Sequence, residues 1–317
     1  MRRVASIDCG TNSIRLLVAE LTEDADGGVA LRDLHREMRI VRLGEGVDAS
    51  GMFGEQALER TRAAVVDYAA TAAEFGVSAT RMVATSATRD AGNREVFFDM
   101  VRSHLGVDAE VISGAEEARL SLVGAVSEQR PGAGPFLVVD VGGGSTELVL
   151  GDWDGRTASV RASHSADIGS VRITERALRA DPPSHAEIEA ACRYTVEMLG
   201  PAFEAVDVSM ARTWIGLAGT VTTLSALVQE LPEYDPARTH LSRLSATEIK
   251  TVTERLLSSD HTERAANAVI HPGRVDVIGG GALVVRTLAE QLAERGGPDS
   301  LVVSEHDVLD GIALSLA

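Results

Sequence analysis

The sequence predicts an α/β protein made of two similar halves, each a mixed sheet covered by helices. Short runs of Val, Ile and Leu alternate with longer amphipathic runs along the 317 residues, which indicates sheets with helices on both faces. Aromatic residues make up only 3% of the chain, so aliphatic side chains must form the core, as in parallel strands that helices cover. One pattern also occurs twice, 132 residues apart (140 − 8), which indicates an internal duplication. The matched residues are Asp8 with Asp140, Gly10 with Gly142, Ser13 with Ser145 and Leu16 with Leu148.

Each half begins with a predicted hairpin, at 4–18 in the first half and at 136–151 in the second. The same offset of 132 places the strand and turn of 81–88 over 213–220, and the helical stretch 55–74 over 187–206. The other elements predicted in the first half are a strand near 36–43, a helix at 55–75, a strand at 81–85, a helix at 93–104 and a strand at 108–112. Those predicted in the second half are a strand at 158–164, helices from 170 to 205, a strand at 213–217, helices at 219–230 and 245–258, a strand at 275–278, a helix at 281–295, a strand at 300–303 and a helix at 305–316. Ser304 or Asp307 is expected to cap this last helix.

The net charge of −17 disfavours bulk binding to nucleic acid or to an anionic membrane, because both are polyanions. A polyanionic substrate must therefore be held by local arginines, backbone amides and a metal ion. Two isolated cysteines, Cys9 and Cys192, do not form a disulfide framework and predict a reducing cytoplasm. The first residues lack the apolar region of a signal peptide, and no run approaches the roughly 18 apolar residues that span a membrane. A soluble cytoplasmic protein is therefore expected.

The two hairpin turns are the first candidate binding elements. The first carries Gly10, Thr11, Asn12 and Ser13, and the second carries Gly142, Gly143, Gly144 and Ser145. Such turns can aim backbone N–H groups and hydroxyls at an anion, although a hairpin can also need glycine for its turn alone. An aspartate precedes each turn, so the pair of turns predicts a clamp for phosphate and a hard cation.

Three stretches, 8–13, 113–119 and 139–147, resemble the signature stretches of the exopolyphosphatase / guanosine pentaphosphate phosphatase family. Further similarity covers 42–47, 84–89, 216–220 and 274–280, so the resemblance extends along the whole chain in order. This family belongs to the superfamily of sugar kinases, heat-shock ATPases and actin. The resemblance implies two duplicated ribonuclease-H-like (actin-like ATPase) domains with an interdomain cleft. Domain I is expected at 1–120, with the helix at 305–317 returning to it, and domain II at 121–304.

The resemblance also implies the catalytic carboxylate and the metal. It makes Glu117 the general base that activates water, whereas Glu116 could form a capping box with Ser113. It implies Mg²⁺, for which Asp140, Glu147 and Asp8 are the candidate ligands. Each aspartate could instead orient its own turn through an Asx hydrogen bond.

The remaining candidate residues would bind the phosphates of the substrate. The resemblance makes Arg89 a phosphate ligand, and it adds Gly219 and Thr220 in the stretch 216–220. Arg15, opposite Glu147 in the duplication, could influence substrate choice, and Arg274 could reach a distal phosphate. The stretch Gly279–Gly281 would form a wall of the cleft or a helix-start turn. The eight histidines show no paired metal-ligand spacing, so no zinc site is expected, and the dipeptide at 306–307 is interpreted as a helix cap.

The predicted function is Mg²⁺-dependent hydrolysis of the terminal phosphoanhydride of inorganic polyphosphate, which releases orthophosphate. Guanosine pentaphosphate (or tetraphosphate) is the alternative substrate, because it also presents a linear phosphate chain. That substrate would give the protein a part in the stringent response. Two alternatives belong to other classes: an actin-fold kinase or ATPase, and a phosphate or alarmone sensor that binds without turnover. The resemblance also makes a homodimer plausible.

Overall fold

The computed structural model describes residues 2–23 and 28–317. The chain forms two compact units, one of Met1–Ser127 with Val308–Ala317 and the other of Glu128–Asp307. It therefore passes into the second unit once and returns once. The first unit extends to Ser127 and not only to residue 120, because one unbroken helix runs over Gly114–Val126. The predicted interdomain cleft stays a prediction.

The first unit contains a five-stranded sheet in the order β3-β2-β1-β4-β5. Its strands are β1 (Arg2–Cys9), β2 (Ser13–Glu23), β3 (Val29–Ile40), β4 (Ala79–Ala84) and β5 (Ala109–Val111). The first three are antiparallel, whereas β4 runs parallel to β1 and β5 parallel to β4. All side chains over 4–9 are buried, including those of the polar residues Ser6 and Asp8, as in a strand that is covered on both faces.

Helices cover this sheet. They are α1 (Val47–Ser50), α2 (Glu55–Glu74), α3 (Ser86–Asp90), α4 (Arg94–Leu105), α5 (Gly114–Val126) and, from the end of the chain, α13 (Val308–Leu314). The hydroxyl of Tyr68 in α2 donates to the carbonyl of Ile14 in β2 at 3.0 Å, which satisfies a buried polar group. The last helix places Leu309 and Ala313 in one apolar cluster with Val4 and Leu17.

The second unit contains a six-stranded sheet in the order β10-β11-β9-β6-β7-β8. Its strands are β6 (Phe136–Val141), β7 (Thr146–Trp153), β8 (Ala158–Ala166), β9 (Thr213–Leu217), β10 (Arg243–Ser245) and β11 (Ser300–Val303). Its helices are α6 (Ser170–Ala177), α7 (His185–Ala205), α8 (Ala218–Val228), α9 (Pro236–Thr239), α10 (Ala246–Ser258), α11 (His261–Ala265) and α12 (Ile278–Glu294), with 3₁₀ turns at Val208–Met210 and Pro272–Arg274.

The predicted duplication is confirmed by the strand orders. The segment β8-β7-β6-β9-β11 repeats the order β3-β2-β1-β4-β5 of the first unit. The offset of 132 is wrong at the fourth strand, however. Val4 pairs with Ala79 and Phe136 with Thr213, so equivalent residues there are 134 apart (213 − 79). The segments between the strands differ in length, and strand pairing defines the equivalence.

The predicted strand at 275–278 is wrong. Its β-branched residues suggest a strand, but the chain forms the 3₁₀ turn Pro272–Arg274 and then begins α12 at Ile278. Packing decides this outcome, since a Cβ on Gly280 would lie 2.3 Å from Thr174 Oγ1 and one on Gly281 would lie 2.5 Å from Thr220 Oγ1. The glycines let the first turn of α12 lie directly against α6 and α8.

Two further element boundaries differ from prediction. The strand expected near 36–43 begins earlier, at Val29, and ends at Ile40, because the next residues turn to bind the first glycine loop. The last helix begins at Val308 and not at 305. Ser304 therefore does not cap it; its hydroxyl accepts a hydrogen bond from the amide of His306 at 3.1 Å.

Among the helices of residues 2–23 and 28–317, none has both the length and the apolar character that crossing a membrane requires.

Candidate functional site

A glycine loop joins the first two strands of the second unit. Gly142 N donates to Ser145 O at 3.0 Å and closes the turn between β6 and β7. Within the described residues, the amides of Gly143 and Gly144 have no hydrogen-bond acceptor. A turn with successive unused N–H groups is an anion-binding arrangement, because the amide dipoles converge on one point.

Helix α6 supports this loop from behind by binding its carbonyl groups. The contacts are Ser170 N to Gly142 O (2.9 Å), Val171 N to Gly143 O (2.9 Å) and Arg172 Nε to Gly144 O (2.9 Å). The approach is very close, since a Cβ on Gly169 would lie 2.6 Å from Gly143 O. The carbonyl groups of Gly142, Gly143 and Gly144 are thus all bound by the start of α6.

The first unit repeats this arrangement with different residues. Gly10 N donates to Ser13 O at 2.9 Å, and the amides of Thr11 and Asn12 have no acceptor in the described part of the chain. The segment after β3 binds the loop carbonyls. The contacts are Val41 N and Arg42 N to Asn12 O (3.1 and 2.9 Å) and Gly44 N to Thr11 O (2.8 Å). Both units therefore present a glycine turn of the same construction.

The two hairpins differ in the residue that lies opposite the aspartate before the turn. In the second unit Asp140 pairs across the strands with Glu147, and the two residues are only 6% and 1% exposed. Ser165 Oγ donates to Glu147 Oε1 at 2.8 Å. Two buried acidic side chains on neighbouring strands offer oxygen atoms of the kind that hard cations prefer, and their role as metal ligands stays a prediction.

In the first unit a built-in cation occupies the equivalent place. Asp8 lies opposite Arg15, whose Nη2 donates to Asp8 Oδ2 at 2.6 Å and whose Nε donates to the same oxygen at 3.0 Å. The predicted roles of Asp8 as a metal ligand and of Arg15 as a phosphate ligand stay predictions. In the structure the two groups bind each other. The neighbouring Cys9 thiol is buried, and burial raises its pKa, as expected of a small core side chain rather than a reactive one.

Glu117 lies in the first turn of α5 and is 7% exposed. Arg89, at the end of α3, donates through Nη1 to Glu117 Oε2 and to Ile112 O, both at 2.9 Å. The structure thus places the predicted base beside a predicted phosphate ligand. Their roles stay predictions, but the arginine holds the carboxylate in one orientation.

The capping box predicted for Glu116 is only half formed. Ser113 Oγ accepts from Glu116 N at 3.2 Å, but the Glu116 carboxylate accepts from Arg119 Nε and Nη2, both at 2.8 Å, instead of reaching back to Ser113. The pKa of Glu116 is lowered, and the hydrogen bond from Arg119 is the largest cause. The two adjacent glutamates are therefore distinguished by burial and by partner.

Gly219, Thr220 and Arg274 come together at the start of α8. A Cβ on Gly219 would lie 2.1 Å from Arg274 Cζ, so the guanidinium lies directly on the glycine. His271 Nδ1 accepts from Gly273 N at 3.1 Å and caps the 3₁₀ turn that carries Arg274. Burial, and then the Arg274 charge, lower the pKa of His271. The structure thus brings these three predicted residues together at the start of one helix, and their role as phosphate ligands stays a prediction.

The supports behind the two loops were missed in the sequence. Gly44 and Gly169 are single glycines without a phosphate-loop pattern, and each is required by a close approach. A Cβ on Gly44 would lie 2.3 Å from Thr11 Cγ2. The similarity of 42–47 to the family was the available signal for the first support. A lone Gly-Ser step after a strand was a weak signal for the second.

Comparison with known proteins gives the family. The model of the Ppx/GppA phosphatase family matches residues 20–316. Exopolyphosphatase 2 of Mycobacterium tuberculosis is 55% identical over 325 aligned positions, which cover 100% of this chain and 99% of that protein.

Solved structures agree with this result. The crystal structure of an exopolyphosphatase-like protein is 46% identical, covers 100% of this chain and 98% of its own, and superposes with a TM-score of 0.93. A Ppx/GppA enzyme of Aquifex aeolicus is 32% identical, covers 99% of both chains and has a TM-score of 0.79. A nucleoside triphosphate hydrolase of Neospora caninum, at 13% identity and a TM-score of 0.58, shares the fold.

Proposed function

The chain belongs to the Ppx/GppA phosphatase family, and we propose that it is an exopolyphosphatase that hydrolyses the terminal phosphoanhydride of inorganic polyphosphate. One observation carries this proposal: two buried, opposed carboxylates, Asp140 and Glu147, lie beside a glycine loop with unused amides. A phosphate chain bears negative charge on every phosphate, so its binding needs amide donors and a cation at the same place.

The residues of the second hairpin fit a hard divalent cation. Asp140 and Glu147 would hold it, because Mg²⁺ prefers carboxylate oxygens together with phosphate oxygens and water. The position is one that a guanidinium fills in the first unit, where Arg15 binds Asp8. When bound, the metal supplies positive charge that stabilises the transferred phosphoryl group.

The chain's own groups supply the rest of the reaction. Glu117 accepts a proton from water as the water oxygen bonds to the terminal phosphorus, and the bond from that phosphorus to the bridging oxygen breaks. Orthophosphate and a chain shorter by one phosphate are the products. Arg89 keeps the Glu117 carboxylate oriented, and the amides of the two glycine loops bind phosphate oxygens. Arg274, with Gly219 and Thr220, binds a phosphate further along the chain.

Polyphosphate is the proposed substrate, since Exopolyphosphatase 2 of Mycobacterium tuberculosis, 99% of which aligns with this chain, carries the name of that activity. Guanosine pentaphosphate is the weaker candidate, because the relatives do not favour it. We further place the reaction in the cytoplasm and propose Mg²⁺ as the metal, and a homodimer remains part of the proposal.

The test is orthophosphate release from medium-chain polyphosphate, guanosine pentaphosphate and ATP, with and without Mg²⁺. Glu117→Gln should lower turnover by roughly 10²–10⁴-fold, because that is the usual contribution of a positioned base, and should leave substrate binding intact. Glu116→Gln is the matched control, as its carboxylate binds Arg119 at the exposed side of the same helix turn. Undiminished turnover in Glu117→Gln would remove the base from the mechanism. Binding of all three compounds without any release would instead indicate a sensor.

A further inference from the structure

A second group of metal-ligating side chains lies in the second unit, apart from the glycine loop. Glu128 precedes β6, His240 follows α9 and His306 follows β11. His240 Nε2 lies 2.9 Å from Glu128 Oε2, and His306 Nε2 lies 3.5 Å from the same oxygen. The two imidazole rings meet edge to face with centroids 4.9 Å apart. Residues 112 and 66 positions apart in sequence (240 − 128 and 306 − 240) thus converge on one carboxylate.

The spacing of the ligand atoms suits a tetrahedral metal ion. One oxygen or nitrogen atom from each residue lies within 4.8 Å of the other two. Bonds of about 2.0 Å in a tetrahedral zinc site place ligand atoms about 3.3 Å apart, so side-chain adjustments of about an ångström are enough. Glu128 is 52% exposed on its side chain, which leaves water access for a fourth ligand.

The kinds of donor atom separate this group from the carboxylate pair. Two imidazoles and one carboxylate favour Zn²⁺ and related transition metals, whereas Mg²⁺ and Ca²⁺ prefer oxygen atoms throughout. The pair Asp140 and Glu147 has only carboxylates. The two places should therefore select different metals.

The backbone amide of Glu305, next to His306 in the chain, links the position of His240 to that of His306. It donates to His240 Nδ1 at 3.2 Å, so the neutral ring carries its proton on Nε2 and donates it to Glu128. A metal at Nε2 uses the lone pair there, which moves the proton to Nδ1. The Glu305 amide must then turn aside, so metal binding shifts the segment that carries His306.

We propose that Glu128, His240 and His306 form a Zn²⁺ site that ties together the two segments through which the chain enters and leaves the second unit. Glu128 is the first residue of that unit, and His306 is the last but one. A metal held by both segments and by His240 links the start and end of the unit directly. It should stabilise the folded second unit, because the unfolded chain cannot present the three ligands together.

The test measures Zn²⁺ binding to the chelator-treated full-length chain by calorimetric titration and metal analysis. We expect one Zn²⁺ per chain at this site, a raised melting temperature, and no displacement by excess Mg²⁺. Co²⁺ in place of Zn²⁺ should give the visible absorption of a tetrahedral site. His240→Gln and His306→Gln should each weaken Zn²⁺ binding by more than about 100-fold. Loss of a residue that only hydrogen-bonds to a metal ligand would weaken it by about 10–100-fold.

Two control variants keep the outcomes distinct. His185→Gln removes an exposed histidine of α7 and should leave Zn²⁺ binding unchanged. Glu147→Gln alters the carboxylate pair and should also leave it unchanged. Absence of Zn²⁺ binding by the wild-type chain, or equal binding by the doubly substituted chain His240→Gln/His306→Gln, overturns the proposal. Displacement of Zn²⁺ by Mg²⁺ overturns it too, since imidazole ligands do not favour Mg²⁺.

Discussion

At the scale of single residues, the two hairpins show how one substitution changes the chemistry of a repeated element. Asp8 faces Arg15, and the equivalent Asp140 faces Glu147. In the first pair, a guanidinium binds one oxygen of the carboxylate. The second carries two negative charges in a buried place. The duplicated chain therefore contains one hairpin with an internal ion pair and one with two acidic residues, which is the proposed metal site.

Substitution of Glu147 should affect Mg²⁺ activation and folding stability in opposite directions. We expect Glu147→Gln to weaken Mg²⁺ activation of orthophosphate release by at least about tenfold, because a hard cation loses a charged ligand. Without Mg²⁺ the variant should be at least as stable as the wild type, since repulsion of about 0.2–1 kcal/mol between opposed groups is relieved. Mg²⁺ titrations of activity and thermal melts measure both effects.

Glu20→Gln is the matched control for this change. Glu20 is a buried glutamate at the far end of the hairpin of the first unit, where Arg32 Nη2 donates to it at 2.9 Å. Its substitution should not alter the Mg²⁺ dependence. An unchanged Mg²⁺ requirement in Glu147→Gln would contradict the assignment of the carboxylate pair.

At the scale of elements, the position of helix α6 is set by a missing side chain. The helix begins after Gly169 and binds the loop carbonyls with the amides of its first turn. The separation leaves no room for a methyl group at residue 169. The backbone of the glycine loop and the start of α6 thus form one rigid piece.

Gly169→Ala should disrupt this piece. Its Cβ would meet backbone atoms of Gly143 at 2.6 Å, so either the loop or the helix must move. We expect loss of most orthophosphate release and a lower melting temperature. Gly200→Ala in α7 is the control, because no atom outside its own stretch of helix lies within 4 Å of its added Cβ, and it should leave orthophosphate release unchanged. Full activity in Gly169→Ala would show that the loop does not depend on α6.

At the scale of the whole molecule, the last helix closes the first unit rather than the second. Helix α13 packs against α5, and a Cβ on Gly311 would lie only 2.1 Å from Leu120 O. Arg36 binds the fully buried Asp310, whose charge raises the pKa of the arginine despite the opposing effect of burial. The helix that carries Glu117 is therefore supported by the end of the chain.

Leu309→Ala should destabilise the first unit. Leu309 is buried with Val4 and Leu17, so the cavity should cost about 2–5 kcal/mol in the free energy of unfolding. Both tryptophans, Trp153 and Trp214, lie in the second unit, so their fluorescence does not report directly on this core. Hydrogen exchange of the amides of β1 and β2 is the suitable measurement.

The comparison variant for this core is Leu241→Ala, which truncates an exposed leucine of the second unit. It should change stability by no more than about 0.5 kcal/mol. Unaltered exchange in β1 and β2 of Leu309→Ala would contradict the role of the last helix.

The sequence by itself determined the features that arise from neighbouring residues. The duplication, both hairpin turns and the helix start at Ser113 were readable, because turn chemistry and capping act over three or four positions. The pairing of Asp140 with Glu147, by contrast, was seen only in the register of β6 with β7. These local rules were enough to predict the fold class and the two turns, whereas the resemblance of the motif stretches supplied the family and the expected roles of Glu117, Arg89 and the metal ligands.

Only the tertiary structure decided which distant groups meet. It placed Arg89 on Glu117, brought α6 against the glycine loop, made a helix start of the predicted strand at 275–278, and gathered Glu128, His240 and His306. Each of these outcomes depends on packing between segments that lie far apart along the chain. Propensity and spacing do not contain that information, since contact there is decided by the volume and shape of the partner.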